Sequence, residues 1–285
     1  MNSILKETNF IMKKYNIRAN KSFGQNFLIN ENVINQIVES SQIENEDLVI
    51  EIGPGLGTLT KFLLEKAKKV IAIEIDKKML EILEDRFSLY KNFELICEDV
   101  LKVDLKQLIQ NEKKENHIEN VKIVANLPYY ITTPIIMKLL EDELPLESIT
   151  VMVQKEVANR LVAIPGEKLS GAITYSVYYY AKAKKVLEVP NDCFVPQPEV
   201  TSEVIKLNIR NKPPVDIEQK QIMFKIIKSA FMQRRKTLLN ALVNTKIFEN
   251  KAEGIQILEK LGLDLNVRPE NLKLEDYANI AKYIC

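Results

Sequence analysis

Val49-Ile50-Glu51-Ile52-Gly53-Pro54-Gly55-Leu56-Gly57-Thr58 reads as a buried strand, a glycine-rich turn and the start of a helix. Glycine lets a turn adopt conformations closed to other residues and lets a ligand approach the backbone. The spacing is Gly-x-Gly-x-Gly. A dinucleotide fingerprint needs glycine or alanine at position 58, where Thr58 stands, so NAD is disfavoured. A phosphate-binding P-loop needs Gly-Lys-Ser/Thr, which this stretch lacks. Taken alone, such glycines also occur, less often, in a mere tight turn with no ligand.

Outward from this turn, short β-rich runs alternate with helical stretches. Strands are expected at 48–52, 70–75, 93–97, 121–125 and 150–153, with helices at 58–66 and 77–87. Such alternation means βαβ units and a mostly parallel sheet, an α/β fold. The second strand ends at Glu74, whose carboxylate suits the two hydroxyls of a ribose. The third leads into Glu98-Asp99-Val100, where Asp99 could accept from an adenine amine. Ligands of open α/β sheets bind at such carboxyl ends. This row of glycine turn, acid and second acid resembles the S-adenosylmethionine site of class I (Rossmann-like) methyltransferases.

After the fourth strand stands Asn126-Leu127-Pro128-Tyr129-Tyr130. It resembles the Asn/Asp-Pro-Pro-Tyr motif of enzymes that methylate exocyclic amines of bases. The N6 lone pair of adenine is delocalised into the ring, so the amine is a poor nucleophile. Two acceptors that hold both N–H groups favour the more pyramidal, reactive nitrogen. The resemblance assigns these acceptors to the side chain of Asn126 and the carbonyl of Leu127. Pro128 fixes the turn, and Tyr129 can stack on the extruded base. The single histidine, His117, lies in a polar stretch and reads as a surface residue.

Over nearly its whole length the chain resembles the bacterial 16S ribosomal RNA adenine N6-dimethyltransferases. Members dimethylate two adjacent adenosines near the 3′ end of that RNA. Lys21-Ser22-Phe23-Gly24-Gln25-Asn26-Phe27-Leu28 matches the family's first motif, which implies that Asn26 and Leu28 contact the cofactor. Gly53, Gly55, Glu74, Asp99 and Asn126 fall on its other cofactor-contacting segments. Val153 to Leu161 matches its next block. Phe194-Val195-Pro196-Gln197-Pro198-Glu199 resembles the segment whose Phe lies on the other face of the target adenine. Phe231 to Asn240 and Arg268 to Leu272 match further blocks. Three departures concern RNA contacts: Ser170 replaces a usual Tyr, Tyr178 a frequent Gln, and Glu199 a usual Lys.

The 285 residues, 46% of them apolar, suffice for a packed core. Helices are expected at 2–15 and 31–40, and residues 110–120 are expected as an exposed loop. Pro213-Pro214 breaks the chain after a last strand at 203–209, and helices follow at 217–231, 236–242, 252–261 and 274–284. This reading gives a methyltransferase domain with an N-terminal helical extension over 1–210 and a small helical RNA-binding domain over 211–285. The N-terminus has no compact apolar block and no run spans a bilayer, so a cytoplasmic location without membrane association is expected. A monomer is expected as well. Cys97, Cys193 and Cys285 show no metal-ligand spacing, and no metal is expected.

The net charge of +1 says little, but its distribution says more. Residues 1–28 hold Lys6, Lys13, Lys14, Arg18 and Lys21 against Glu7. Residues 206–246 hold ten Lys or Arg against Asp216 and Glu218. Two basic zones fit a polyanion footprint or ordinary solvated faces. Arg234, Arg235 and Lys236 are the candidate contacts to 16S ribosomal RNA in a small subunit or its precursor. A 23S ribosomal RNA adenine methyltransferase is the rival within the fold; the Arg234-Arg235-Lys236-Thr237-Leu238 block favours the 16S enzymes. A non-catalytic assembly factor is the rival outside it, opposed by the intact glycine turn, Glu74 and Asn126.

Overall fold

The run 48–52 forms a strand buried at every position, as Leu-Val-Ile-Glu-Ile demands of the centre of a sheet covered on both faces. A computed structural model of the chain describes residues 3–19, 24–233 and 235–284. The first elements are α1 (Ser3–Lys14), β1 (Phe27–Leu28), α2 (Glu31–Ser41), β2 (Leu48–Ile52), α3 (Thr58–Leu64), β3 (Lys69–Glu74) and α4 (Lys77–Phe87). There follow β4 (Phe93–Cys97), α5 (Leu105–Glu115), β5 (Val121–Asn126), α6 (Thr132–Glu141), β6 (Ser148–Gln154), α7 (Lys155–Val162), α8 (Ala172–Tyr180) and β7 (Ala181–Val189). The last are β8 (Phe194–Val195), β9 (Ser202–Ile209), α9 (Lys220–Phe231), α10 (Leu238–Asn244), α11 (Lys251–Lys260) and α12 (Leu274–Ala281).

The main sheet runs β4-β3-β2-β5-β6-β9-β7. The first five strands of that order are parallel, and β9 runs antiparallel to β6. The order reverses direction at β2 and β5, so their carboxyl ends open a crevice. A separate ribbon pairs β1 with β8, Leu28 opposite Phe194. Side-chain caps fix where several helices start. Asn30 accepts from the Val33 N–H, Asp76 from Lys78, Asp104 from Gln107 and Thr237 from Asn240.

The chain forms two compact units: Met1–Ala158 with Ala183–Ile209, and Asn159–Lys182 with Arg210–Cys285. Chain order alone put all of 1–210 in the first. Residues 159–182 group instead with the C-terminal helices because of their aromatic side chains. Tyr175 is fully buried, donates its hydroxyl to the Leu272 carbonyl at 2.6 Å, and meets the Tyr277 ring edge-on at 5.1 Å. Tyr179 meets Phe224 at 5.3 Å. The expected loop at 110–120 is also corrected. Helix α5 continues to Glu115, because Ile109 is buried and Glu112 turns inward to pair with Lys69 of β3 at 2.6 Å. Among the described residues no helix is long and apolar enough to cross a membrane.

Candidate active site

The glycine turn leaves the carboxyl end of β2 and enters α3. Gly53, Gly55 and Gly57 all have positive φ, at 67°, 58° and 77°. Two of them are also tightly packed. A Cβ on Gly55 would lie 3.3 Å from the Phe27 ring, and one on Gly57 would overlap Phe87 and come within 2.9 Å of Leu83. The turn therefore needs glycine for conformation and for close approach. It lines a cleft together with residues 24–28, the ends of β3 to β5, and Asn126 to Ile131.

Four acids line this cleft: Glu74, Asp99, Glu51 and Glu98. Glu74 is 7% exposed, and its Oε1 accepts the N–H groups of Ile75 and Asp76, each at 2.9 Å. Among the described residues its Oε2 accepts only the Gly55 N–H, at 3.3 Å, and so keeps acceptor capacity. Burial raises the Glu74 carboxyl above the ordinary range, and the backbone donors pull the other way. Asp99 is half-buried; its Oδ1 accepts from the Leu101 N–H at 3.0 Å, which fixes the side chain beside the cleft. The third acid, Glu51, was given no role from sequence. It is 2% exposed, with Oε2 unpartnered among the described residues, and burial pushes it up to about 8, helped by the Glu74 carboxylate and opposed by the Thr60 hydroxyl. The available signal was an acid two residues before Gly53 in an otherwise apolar strand. Gln25 was also missed; it lines the cleft and donates to the Asp76 carboxylate at 2.7 Å.

The Asn126 segment forms the opposite wall. The Nδ2 of Asn126 donates to the Asn26 carbonyl at 3.2 Å, so its Oδ1 is left as an acceptor. Asn26 in turn donates to the Gly24 carbonyl at 3.1 Å. The Leu127 N–H is held by Met152 at 3.2 Å, and its carbonyl has no hydrogen-bond partner among the described residues. Pro128 leads into a 3-10 turn at Tyr129–Ile131. The Tyr129 hydroxyl is tied to Ser202, which holds its half-buried ring in place. Leu28, only 4% exposed, still contributes to the lining.

Phe194 corrects an expectation. It is 1% exposed, belongs to the core of the first unit, and is not among the residues lining the cleft. It pairs with Leu28 in the β1–β8 ribbon and packs into the core of the first unit.

In the second unit, Arg235 and Lys236 are exposed in the turn between α9 and α10, without an ion-pair partner among the described residues. Lys225 and Lys228 are exposed on α9, and Met232 just beyond it is 77% exposed. Arg234 lies outside the described residues, as do Lys21, Ser22, Phe23 and Cys285. The basic zone from 206 does not face solvent throughout. Lys206 is 1% exposed and donates to Gln42 at 2.6 Å and to the Ser40 carbonyl at 2.9 Å. Among the described residues no group of three metal-ligating side chains gathers.

A family model described as ribosomal RNA adenine dimethylase matches residues 16–285. A ribosomal RNA small subunit methyltransferase A from Alkaliphilus metalliredigens is 48% identical over 98% of this chain and 96% of its own length. One of the same description from Clostridioides difficile is 45% identical over 97% and 94%. Among solved structures, a dimethyladenosine transferase from Plasmodium falciparum aligns with a TM-score of 0.71 at 27% identity, covering 89% of this chain and 95% of that one. The 23S rRNA methyltransferase ErmE aligns at 0.65 and 21% identity, covering 91% and 99%, a likeness of fold.

Proposed function

The chain belongs to the ribosomal RNA adenine dimethylase family, and from that premise we propose that it methylates N6 of two adjacent adenosines near the 3′ end of 16S ribosomal RNA. The methyl donor is S-adenosylmethionine and the product N6,N6-dimethyladenosine. The substrate is the RNA within a cytoplasmic small subunit or its precursor, and the enzyme acts as a monomer. The small-subunit description of the bacterial relatives supports 16S over 23S RNA.

The residues of the cleft fit this cofactor. Glu74 Oε2 is the acceptor for a ribose hydroxyl, because Oε1 is already filled by two backbone donors. Asp99, held beside the cleft by the Leu101 N–H, accepts from the adenine amine. Gly53 and Gly55 leave room at the turn, and Asn26 and Leu28 close the near side. When bound, the cofactor supplies an electrophilic methyl on a sulfonium whose remainder leaves uncharged.

The observation that carries the reading is the orientation of Asn126. Its amide nitrogen is committed to the Asn26 carbonyl, so Oδ1 and the following Leu127 carbonyl stand as acceptors on the cleft wall. These two hold the N6 hydrogens and favour the pyramidal nitrogen. Pro128 stiffens the turn that carries them, and the Tyr129 ring, fixed through Ser202, stacks on the base. Alignment and preorganised dipoles then supply the rate, and no histidine is required.

The contact at Asn126 strengthens in the transition state, so its loss lowers turnover more than RNA affinity. Asn126→Ala is expected to slow single-turnover methylation about 10²–10³-fold at saturating RNA and cofactor. Asn126→Asp keeps an acceptor and retains more activity. Calorimetric titration of the cofactor separates binding from chemistry. A near-wild-type rate for the Ala variant would reduce Asn126 to a turn residue.

A further inference from the structure

The glycine turn is held from its rear as well as from the cleft. Arg86, near the end of α4, is largely buried, its side chain 14% exposed. Its Nη1 donates to the carbonyl of Leu56, in the middle of the turn, and its Nη2 to the carboxylate of Glu7 on α1. The same stretch of α4 presses on the turn a second time. Phe87 and Leu83 occupy the space where Gly57 would carry a Cβ, and the Arg86 guanidinium lies over the Phe87 ring at 5.2 Å. Neither Arg86 nor any residue of α1 lines the cleft.

We propose that Arg86 is a positioning residue for the cofactor turn, and that α1 holds it in that role through Glu7. The inference rests on reading the cleft as the S-adenosylmethionine site. Leu56 is 1% exposed, and a carbonyl in such surroundings needs a donor. Arg86 supplies it, while on the other side the Gly55 N–H is tied to Glu74. The turn is thus stretched between a carboxylate in the cleft and a guanidinium behind it. Without the guanidinium the Leu56–Gly57 peptide loses one of its two ties, keeping the Gly57 N–H bond to the Pro54 carbonyl at 2.9 Å, and the Gly55–Glu74 contact that shapes the ribose site loosens. Glu7 keeps the guanidinium aimed at the turn by neutralising it in a poorly solvated place. The N-terminal helix therefore serves the cofactor site without touching it.

Coupling of this kind is reciprocal: if α1 helps the cofactor bind, the cofactor must tighten α1. A control separates relay from general anchoring. Lys14, at the end of α1, and Tyr15 just beyond it also bond α4, through Asp85, but that contact does not reach the turn.

Calorimetric titration of S-adenosylmethionine, with amide hydrogen exchange in the absence and presence of the cofactor, tests the proposal. Arg86→Met is expected to weaken binding about tenfold, the loss of one charge-assisted hydrogen bond. The same variant should raise the cofactor KM in step while kcat at saturation holds. Glu7→Gln, which keeps the arginine and changes a partly exposed residue, should weaken binding by a smaller factor. Asp85→Asn should bind as wild type does. In wild type the cofactor should slow exchange in α1, and in Arg86→Met and Glu7→Gln it should not. Wild-type affinity in Glu7→Gln, or equal weakening in Asp85→Asn, would overturn the relay even if Arg86→Met fails to fold. A wild-type protein that binds no cofactor would overturn the reading of the cleft itself.

Discussion

Glu51 carries a carboxyl into a strand buried at every position, one residue from the end of β2. Its carboxyl is pushed up to about 8 from an ordinary 4.5, chiefly by burial. Between those two values the folded protein holds a proton that the unfolded chain has released. Stability contributed by this site therefore falls as pH rises from 4.5 to about 8. Glu51→Gln keeps the shape and removes the titration. Relative to their difference below pH 4.5, the variant should gain on wild type by at most about 5 kcal/mol above pH 8. Urea unfolding across this range checks it; parallel pH profiles for the two proteins would remove Glu51 as the titrating group. Glu74 and Asp99 were legible as cleft residues because Glu74 ends β3 and Asp99 lies two residues past the end of β4. Glu51 was not, because a role for a residue inside a strand depends on which side of the strand the cleft opens.

At the scale of elements, the ribbon of β1 and β8 determines what Phe194 does. Each strand has two residues, too few for a periodic pattern, and their pairing joins segments far apart in sequence. Motif likeness placed the Phe against the target base, whereas the ribbon places it in the core. Phe194→Ala should accordingly cost about 3–5 kcal/mol of unfolding free energy, as expected of an emptied core site. Near-wild-type stability with a selective loss of methylation would return Phe194 to the base. Strand β7 was missed for a related reason. Ala181-Lys182-Ala183-Lys184 has little intrinsic strand preference, and the strand forms as the end of the sheet, where exposed lysines guard an open edge. The parallel strands β2 to β6 and helices α3 and α4 were legible because their own apolar patterns suffice.

At the scale of the whole molecule, the order of glycine turn, acid, second acid and Asn-Leu-Pro-Tyr specified the sheet and its crevice from sequence. The partition of the chain was less visible. Residues 159–182 join the C-terminal unit through Tyr175 and Tyr179, partners that chain order cannot reveal. The basic zone was over-read at Lys206, which is spent inside the protein, while Arg235 and Lys236 are exposed. If these two meet phosphates, Arg235→Gln should reduce the slope of log K against log salt by about 0.7–0.9. A slope unchanged from wild type would remove Arg235 from the RNA contact. The central claim, that this family member dimethylates adenine in small-subunit RNA, is tested most directly by its product. Unmethylated small subunits incubated with the protein and labelled S-adenosylmethionine should yield label confined to two adjacent adenosines near the 3′ end of 16S RNA, each carrying two methyl groups on N6. Label on large-subunit RNA, or no label at all, would contradict it.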